Sequence, residues 1–394
     1  MTSSTVGAKY GYSMLWVVAL SSFLMMAFMT LGARLGAVID VSPAAIIRRE
    51  AGRGLASFVG LSVLLITALF QSGNNIGVAS ALEGFVQSKM VVASLLVLFN
   101  ALAISFLFVF RDTYQMLERV MTVFVAVMLA CFAVNLVRLQ PNVFEMLKGF
   151  VPSMTGIDVT QEMLPLLGLI GTTFVVTAAY YQAYLVQQKG WRLNEIGHGL
   201  FDARVSATVI LLITIMLMAT AAIAFHETSK QDPTFRLASP VAVADGLQRT
   251  FGESAKVVFC LGLFSAAYSS YLINSMIGGF MAADGFGWDV TESGNGAKLL
   301  SSIVLMVGML IGLAVVLFGF NRTPTIIAAQ AITVVASPLV AGVLIWLTSS
   351  KQVMGRYVIG WRMMLIAVLG FLILLAMALK TAVFDLPAAI FPQN

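Results

Sequence analysis

The side chains of this chain that are able to handle an ion are amides and hydroxyls rather than acids or imidazoles. Gln71-Ser72-Gly73-Asn74-Asn75 sets four polar side chains into five residues, flanked by Leu69-Phe70 and Ile76-Gly77-Val78-Ala79. Amides in such an apolar run must face a partner or water, so they serve either as interhelical glue or as the lining of a polar pathway. Their density and neutrality favour the pathway. A second run, Gly171-Thr172-Thr173-Phe174-Val175-Val176-Thr177, has five β-branched residues in seven. β-Branching restricts χ1 against the preceding turn, and threonine hydroxyls compete for backbone carbonyls. A helix broken here would free carbonyls for a cation. Valine and threonine are also tolerated in an unbroken lipid-facing helix, and pattern alone favours that simpler reading. Gln330 stands alone among alanines. Asp202, Asp284 and Glu83 lie near the ends of apolar runs, where pairing or capping is the expected role. His198 and His226 have no H-E-x-x-H spacing, and no G-x-S-x-G, Walker or paired-aspartate pattern occurs, so no catalytic or cofactor-binding residue is expected.

The elements that position these residues follow from composition. Of 394 residues, 59% are hydrophobic and 10% charged, too few polar side chains to cover a water-facing globule of this size. Windows of about 20 residues give apolar segments near 12–33, 54–82, 91–110, 120–137, 164–187, 205–225, 256–283, 299–320, 325–348 and 362–383, about ten spans. This predicts an all-α membrane protein forming a single domain over 1–394. The +5 formal charge is spread singly over loops, which excludes a nucleic-acid patch. Cys131 and Cys260 lie inside apolar segments without C-x-x-C spacing and read as packing residues. The breaks after the odd-numbered spans carry more lysine and arginine (Arg34, Arg48, Arg49, Arg53; Arg111, Arg119; Lys189, Arg192, Arg204; Lys298; Lys351, Arg356, Arg362), which puts that side in the cytoplasm. Segment 44–53 reads as a positive-inside anchor ahead of a short surface helix. The lipid bilayer is the one macroscopic partner that the chain predicts. No feature identifies a protein partner.

Several short stretches, in order along the chain, resemble the NRAMP divalent-metal transporters. Gly7-Ala8-Lys9-Tyr10-Gly11-Tyr12 with Leu15-Trp16-Val17-Val18 is similar to that family's G-A-Q-F-G-Y…L-W-V, and Ala33-Arg34-Leu35-Gly36 to its S-A-K/R-L-G. Ala224-Phe225-His226, Ser269-Ser270, Gly278-Gly279, Asp284-Gly285-Phe286, Ala329-Gln330, Ser337-Pro338 and the stretch Thr348 to Gly355 follow the family's later helices. The resemblance covers almost the whole chain. It implies a LeuT-type inverted-repeat bundle of the APC superfamily, about ten full transmembrane helices plus a partial first helix, with the ion between the broken first and sixth helices. The family's D-P-G-N metal-binding motif would lie just upstream of Met1.

The resemblance also implies departures. The family's A-T-V-M-P-H aligns with residues 172–177, so its metal-binding methionine becomes Val175 and its histidine Thr177. The ion would then be held by Thr172, the carbonyl at Val175 and Gln330, an oxygen set suited to hard ions such as Mg²⁺ or Mn²⁺. Acidic proton-relay residues align with Gln71 and Asn74, so these and Thr177 would line a neutral pathway without proton coupling, as in the NRAMP-related magnesium transporters. The expected function is alternating-access transport of a divalent cation across a plasma (inner) membrane, by a multi-pass protein with no resident cofactor. The alternatives are a proton-coupled Mn²⁺/Fe²⁺ symporter, a truncated non-transporting homologue, and an amino-acid carrier of the same fold using Tyr180, Tyr181 and Tyr268.

Overall fold

The computed structural model describes residues 1–109, 113–153, 163–232, 235, 237, 239–290 and 295–385, and among these it contains helices and no strand. In order they are α1 (Thr2–Tyr10), α2 (Leu15–Val38), α3 (Pro43–Glu83), α4 (Lys89–Val109), α5 (Thr113–Arg138), α6 (Val143–Lys148), α7 (Met163–Thr173), α8 (Val176–Gln188), α9 (Ile196–Gln231), α10 (Pro240–Phe251), α11 (Glu253–Phe286), α12 (Asn295–Phe318), α13 (Arg322–Ser349), α14 (Lys351–Met354) and α15 (Trp361–Lys380). Ten stretches are long and apolar enough to cross a bilayer, one of them being α7 and α8 taken together. Each overlaps one of the expected spans. The protein is a multi-pass membrane protein in which only helices satisfy the backbone away from water.

Loops after different odd-numbered spans meet at one end. Arg34 Nη2 donates to the Tyr357 carbonyl at 3.3 Å, and Arg192 Nη1 to Asp40 Oδ1 at 2.8 Å. Arg111 of the same basic set lies outside the described residues. Segment 44–53, read from the sequence as a positive-inside anchor or a short surface helix, is helical. Ser42 caps it, accepting from the Ala45 amide at 3.2 Å, Pro43 occupies the first turn, and Gly52 at φ 90° breaks it from the body of α3. Ala44, Ile46 and Ile47 are buried and Arg48 reaches Asp284, so it is a docked helical segment, with Arg49 and Arg53 left exposed. Its apolar positions recur at helical spacing, and burying them outweighs leaving the whole segment at the interface.

Small residues set the closest approaches, as van der Waals packing between transmembrane helices requires. On α11, a Cβ at Gly285 would lie 2.9 Å from the Gly60 Cα of α3 and 2.7 Å from the Ala56 carbonyl oxygen. On α2, Gly32 and Gly36 lie directly against the carbonyls of Ala179 and Ala183 in α8. The main core runs through α2, α3, α8, α11 and α13 and includes the fully buried Phe28, Phe174, Tyr180 and Tyr271. Gly285→Ala therefore forces α3 and α11 apart and is expected to cost about 1–3 kcal/mol. Gly54→Ala, whose Cβ meets only open space, should be neutral or slightly stabilising. Thermal unfolding in detergent compares the two, and equal midpoints would refute the close-packing argument.

Candidate functional site

Only two residues separate α7 from α8, and the chain changes course at them. α7 ends at Thr173, Val175 has φ −83° and ψ 85°, and α8 starts at Val176. The unbroken helix favoured by pattern alone is thus incorrect, because tertiary packing decides the local competition. Phe174, 1% exposed, stands edge-on to Phe28 of α2 with centroids 5.0 Å apart, and a Cβ at Gly370 of α15 would lie 3.4 Å from the Phe174 ring. That apolar anchor fixes where the break falls.

A break exposes backbone groups that a helix would satisfy. The Phe174 amide donates to the Ile170 carbonyl at 2.7 Å, and the Val175 carbonyl accepts from the Ala178 and Ala179 amides at 3.1 and 3.2 Å. The Val175 carbonyl is therefore already engaged by two amides of α8. Among the described residues, no backbone amide donates across the break to the carbonyls of Gly171, Thr172, Thr173 or Phe174. These four carbonyls are the acceptors left without a backbone donor here, and the β-branched composition gave no hint of which they would be.

Side-chain oxygens surround the same point. Thr172 Oγ1 donates within its own helix, toward the carbonyls of Gly168 and Leu169 at 3.0 and 3.1 Å, and lies 3.5 Å from Thr2 Oγ1 of α1. Thr2 is 2% exposed, and its methyl group packs over Gly168. Sequence reasoning missed Thr2. Gln330 of α13 sits between two helices: its carbonyl oxygen would be 3.4 Å from a Cβ at Gly171, and its Nε2 3.9 Å from a Cβ at Gly73 of α3. Its Oε1 is buried with no hydrogen-bond partner among the described residues. The structure thus brings Thr172, Gln330, the break and the polar stretch of α3 into one neighbourhood. Thr177, 3% exposed, lies beyond the break in the first turn of α8.

The amide cluster of α3 divides into two. Gln71, fully buried, accepts at Oε1 from Asn74 Nδ2 and from Asn274 Nδ2 of α11, each at 3.1 Å, and Asn274 also donates to the Thr67 carbonyl at 2.8 Å. Asn75, one turn on from Gln71, faces elsewhere. Its Oδ1 accepts from Asn100 Nδ2 of α4 and from the Tyr271 hydroxyl of α11, both at 2.7 Å. Asn75 is interhelical glue, whereas Gln71 keeps a buried Nε2 without a partner among the described residues. Asn100 and Asn274, each a lone amide in an apolar span, were the legible signal for these partners. Among the described residues no group of three or more His, Cys, Asp or Glu side chains is arranged to hold a metal.

A cavity of about 510 Å³ opens at the end of the bundle away from the arginine-rich turns, lined in part by Tyr10, Tyr12, Ser13, Lys148 and His226. His226 Nδ1 lies 3.1 Å from the Ala8 carbonyl, tying α9 to α1. Burial pushes the Tyr12 phenol above its ordinary pKa, so it stays a neutral wall of this vestibule.

Asn75→Leu strands Asn100 and Tyr271 together and is expected to destabilise by about 1–3 kcal/mol. Tyr271→Phe loses one contact and should cost about 0.6 kcal/mol, the average for hydrogen bonds between membrane helices. Unfolding by a denaturing detergent measures both, and a reversed order would refute the arrangement.

The sequence model of the family described as natural resistance-associated macrophage protein-like matches residues 1–383. A protein named divalent metal cation transporter MntH from Bradyrhizobium diazoefficiens is 25% identical over 366 residues, covering 90% of this chain and 78% of that one. A protein of the same name from Levilactobacillus brevis is 24% identical over 382 residues, covering 92% and 81%. A mutant of the manganese transporter of Eremococcus coleocola superposes with TM-score 0.80 at 18% identity, covering 100% of this chain and 84% of that one. MhsT in complex with L-phenylalanine superposes with TM-score 0.60 at 13% identity, covering 96% and 97%. The two structural likenesses carry fold alone, and the fold is the expected LeuT-type bundle. With the family match running from the first helix into the last, the chain belongs to the NRAMP-like family of membrane proteins.

Proposed function

We propose that this chain acts as one transporter domain carrying a hard divalent cation, Mg²⁺ or Mn²⁺, across its membrane by alternating access and without moving protons. Family membership and the relatives described above, which are named as divalent metal cation transporters, support the cargo class. The observation that carries the reading is the helix break. Four carbonyls without a backbone donor, those of residues 171 to 174, lie in the same stretch as the Thr172 hydroxyl, with Gln330 and its unpartnered Oε1 on the facing helix. Val175 occupies the bend, and an ion held there would share its carbonyl with two amides of α8. All of these donors are oxygen. Residues 171–177 include neither methionine nor histidine, and oxygen-only sets favour hard ions over softer transition metals. Mg²⁺ gives up water reluctantly, so such a site suits an ion that keeps part of its hydration shell.

Gln71, Asn74 and Thr177 support the uncoupled half of the proposal. Amides and hydroxyls do not take up and release protons near neutral pH, so a pathway lined by them has no relay.

Two measurements test this. Proteoliposomes with a pH-sensitive dye inside should take up Mg²⁺ and Mn²⁺ without acidification; acidification in step with uptake would instead establish a proton-coupled symporter, and no uptake of either ion a non-transporting homologue. Val175→Met, which introduces a soft ligand at the bend, should raise Mn²⁺ or Cd²⁺ uptake relative to Mg²⁺ by about tenfold, the equivalent of one soft contact worth roughly 1.4 kcal/mol. An unchanged ratio would remove the bend from the site.

A further inference from the structure

The end of the bundle opposite the vestibule is drawn together on one carboxylate. Asp284, near the C-terminal end of α11, is 2% exposed. Its Oδ1 accepts from Ser42 Oγ at 2.7 Å and from Arg48 Nη2 at 3.3 Å, and its Oδ2 accepts from the Tyr184 hydroxyl at 2.7 Å. Its backbone carbonyl accepts from Arg48 Nη1. These partners come from three places: Ser42 from the turn between α2 and α3, Arg48 from the segment before the Gly52 break, and Tyr184 from α8.

The neighbouring contacts run between the same elements. Gln187 Nε2 of α8 donates to the carbonyls of Ile39 and Val41, both at 3.0 Å. The Arg192–Asp40 pair is exposed on both sides, 52% and 88%, and exposed pairs of this kind hold little. Asp284 is different, because a desolvated carboxylate depends on all of its donors. Removing one leaves the rest to compensate a buried charge.

Two of the three partner elements are hinged. α8 is separated from α7 by the bend at Phe174 and Val175, and Arg48 is separated from the body of α3 by Gly52 at φ 90°. Tyr184 lies eight residues beyond Val176, about 12 Å along α8 from the bend. α11 is packed along α3 through Gly60 and Gly285, and α8 along α2 through Gly32 and Gly36. Asp284 thus ties the α3–α11 pair to two segments that each adjoin a break in the chain, α8 and the Arg48 segment.

We infer that Asp284, Tyr184 and Arg48 form a latch that holds the cytoplasmic end shut while the opposite vestibule stands open, and that release of Tyr184 from Asp284 is a step in opening inward. The inference rests on the transport reading for its meaning, but its readout needs no transport. A merely structural ion pair changes stability alone. A latch changes which end is accessible.

The test uses the full chain with Cys131 and Cys260 replaced by alanine, and measures the rate at which a bulky hydrophilic maleimide modifies Ser13→Cys in the vestibule wall. Glu253→Cys, exposed at the same end, serves as the control. Tyr184→Phe and Asp284→Asn should slow modification of Ser13→Cys roughly fivefold or more, the lower range of coupling between distant sites, with Glu253→Cys unchanged. Ser42→Ala removes one donor only and should slow it less, which keeps the test open if Asp284→Asn does not fold. Ser13→Cys rates unchanged in both Tyr184→Phe and Ser42→Ala, with the control unchanged, would overturn the latch. If the unsubstituted chain moves no ion while Ser13→Cys still responds, the transport reading fails and the latch stands.

Discussion

Backbone satisfaction in the absence of water is the constraint on which this structure turns. A helix can stop in mid-membrane only where its loose carbonyls and amides are enclosed by protein or face a polar cavity. The stop at Phe174 and Val175 meets that condition because α1, α2, α13 and α15 all close around it, with Phe28 and Gly370 holding the Phe174 ring and Thr2 and Gln330 supplying polar neighbours. The bend is thus produced by its surroundings more than by its own residues. Valine and threonine lower the local preference for helix only slightly, by fractions of a kcal/mol each. The edge-on Phe28–Phe174 pair alone contributes about 0.5–1.5 kcal/mol, before the other contacts of the buried ring are counted.

A second division follows from the first. α3, α4, α11 and α12 are joined by small-residue contacts and by the Asn75–Asn100–Tyr271 hydrogen bonds, a frame in which polar groups are spent on one another. The broken span, α7 with α8, keeps acceptors in reserve. The same amide chemistry therefore does opposite things four residues apart on α3, fastening the frame at Asn75 and leaving Gln71 with an unused donor.

The fold was largely legible in the sequence, since long apolar windows translate directly into spans when every backbone group must be satisfied within its own helix. What the windows hid were events inside them. The Gly52 break leaves a continuous apolar and basic reading on either side, and its docking depends on Asp284, more than 230 residues away. The candidate site was half legible. Gln71, Asn74 and Gln330 stand out as amides in hydrocarbon, but nothing local distinguishes Asn75 as glue, because its partners come from α4 and α11. Thr2 was invisible for a similar reason: a hydroxyl near Met1 gains meaning only when α7 is laid against it.

The neutral face of α3 bears on energetics at the scale of the cell. A doubly charged ion that crosses with no compensating proton moves two elementary charges through the field, each worth about 2.3 kcal/mol per 100 mV. That is about 4.6 kcal/mol for every 100 mV, or roughly three powers of ten in concentration at equilibrium. Amides at 71 and 74 in place of carboxylates would thus make membrane voltage itself the fuel of the proposed carrier, and its direction would follow the sign of that voltage.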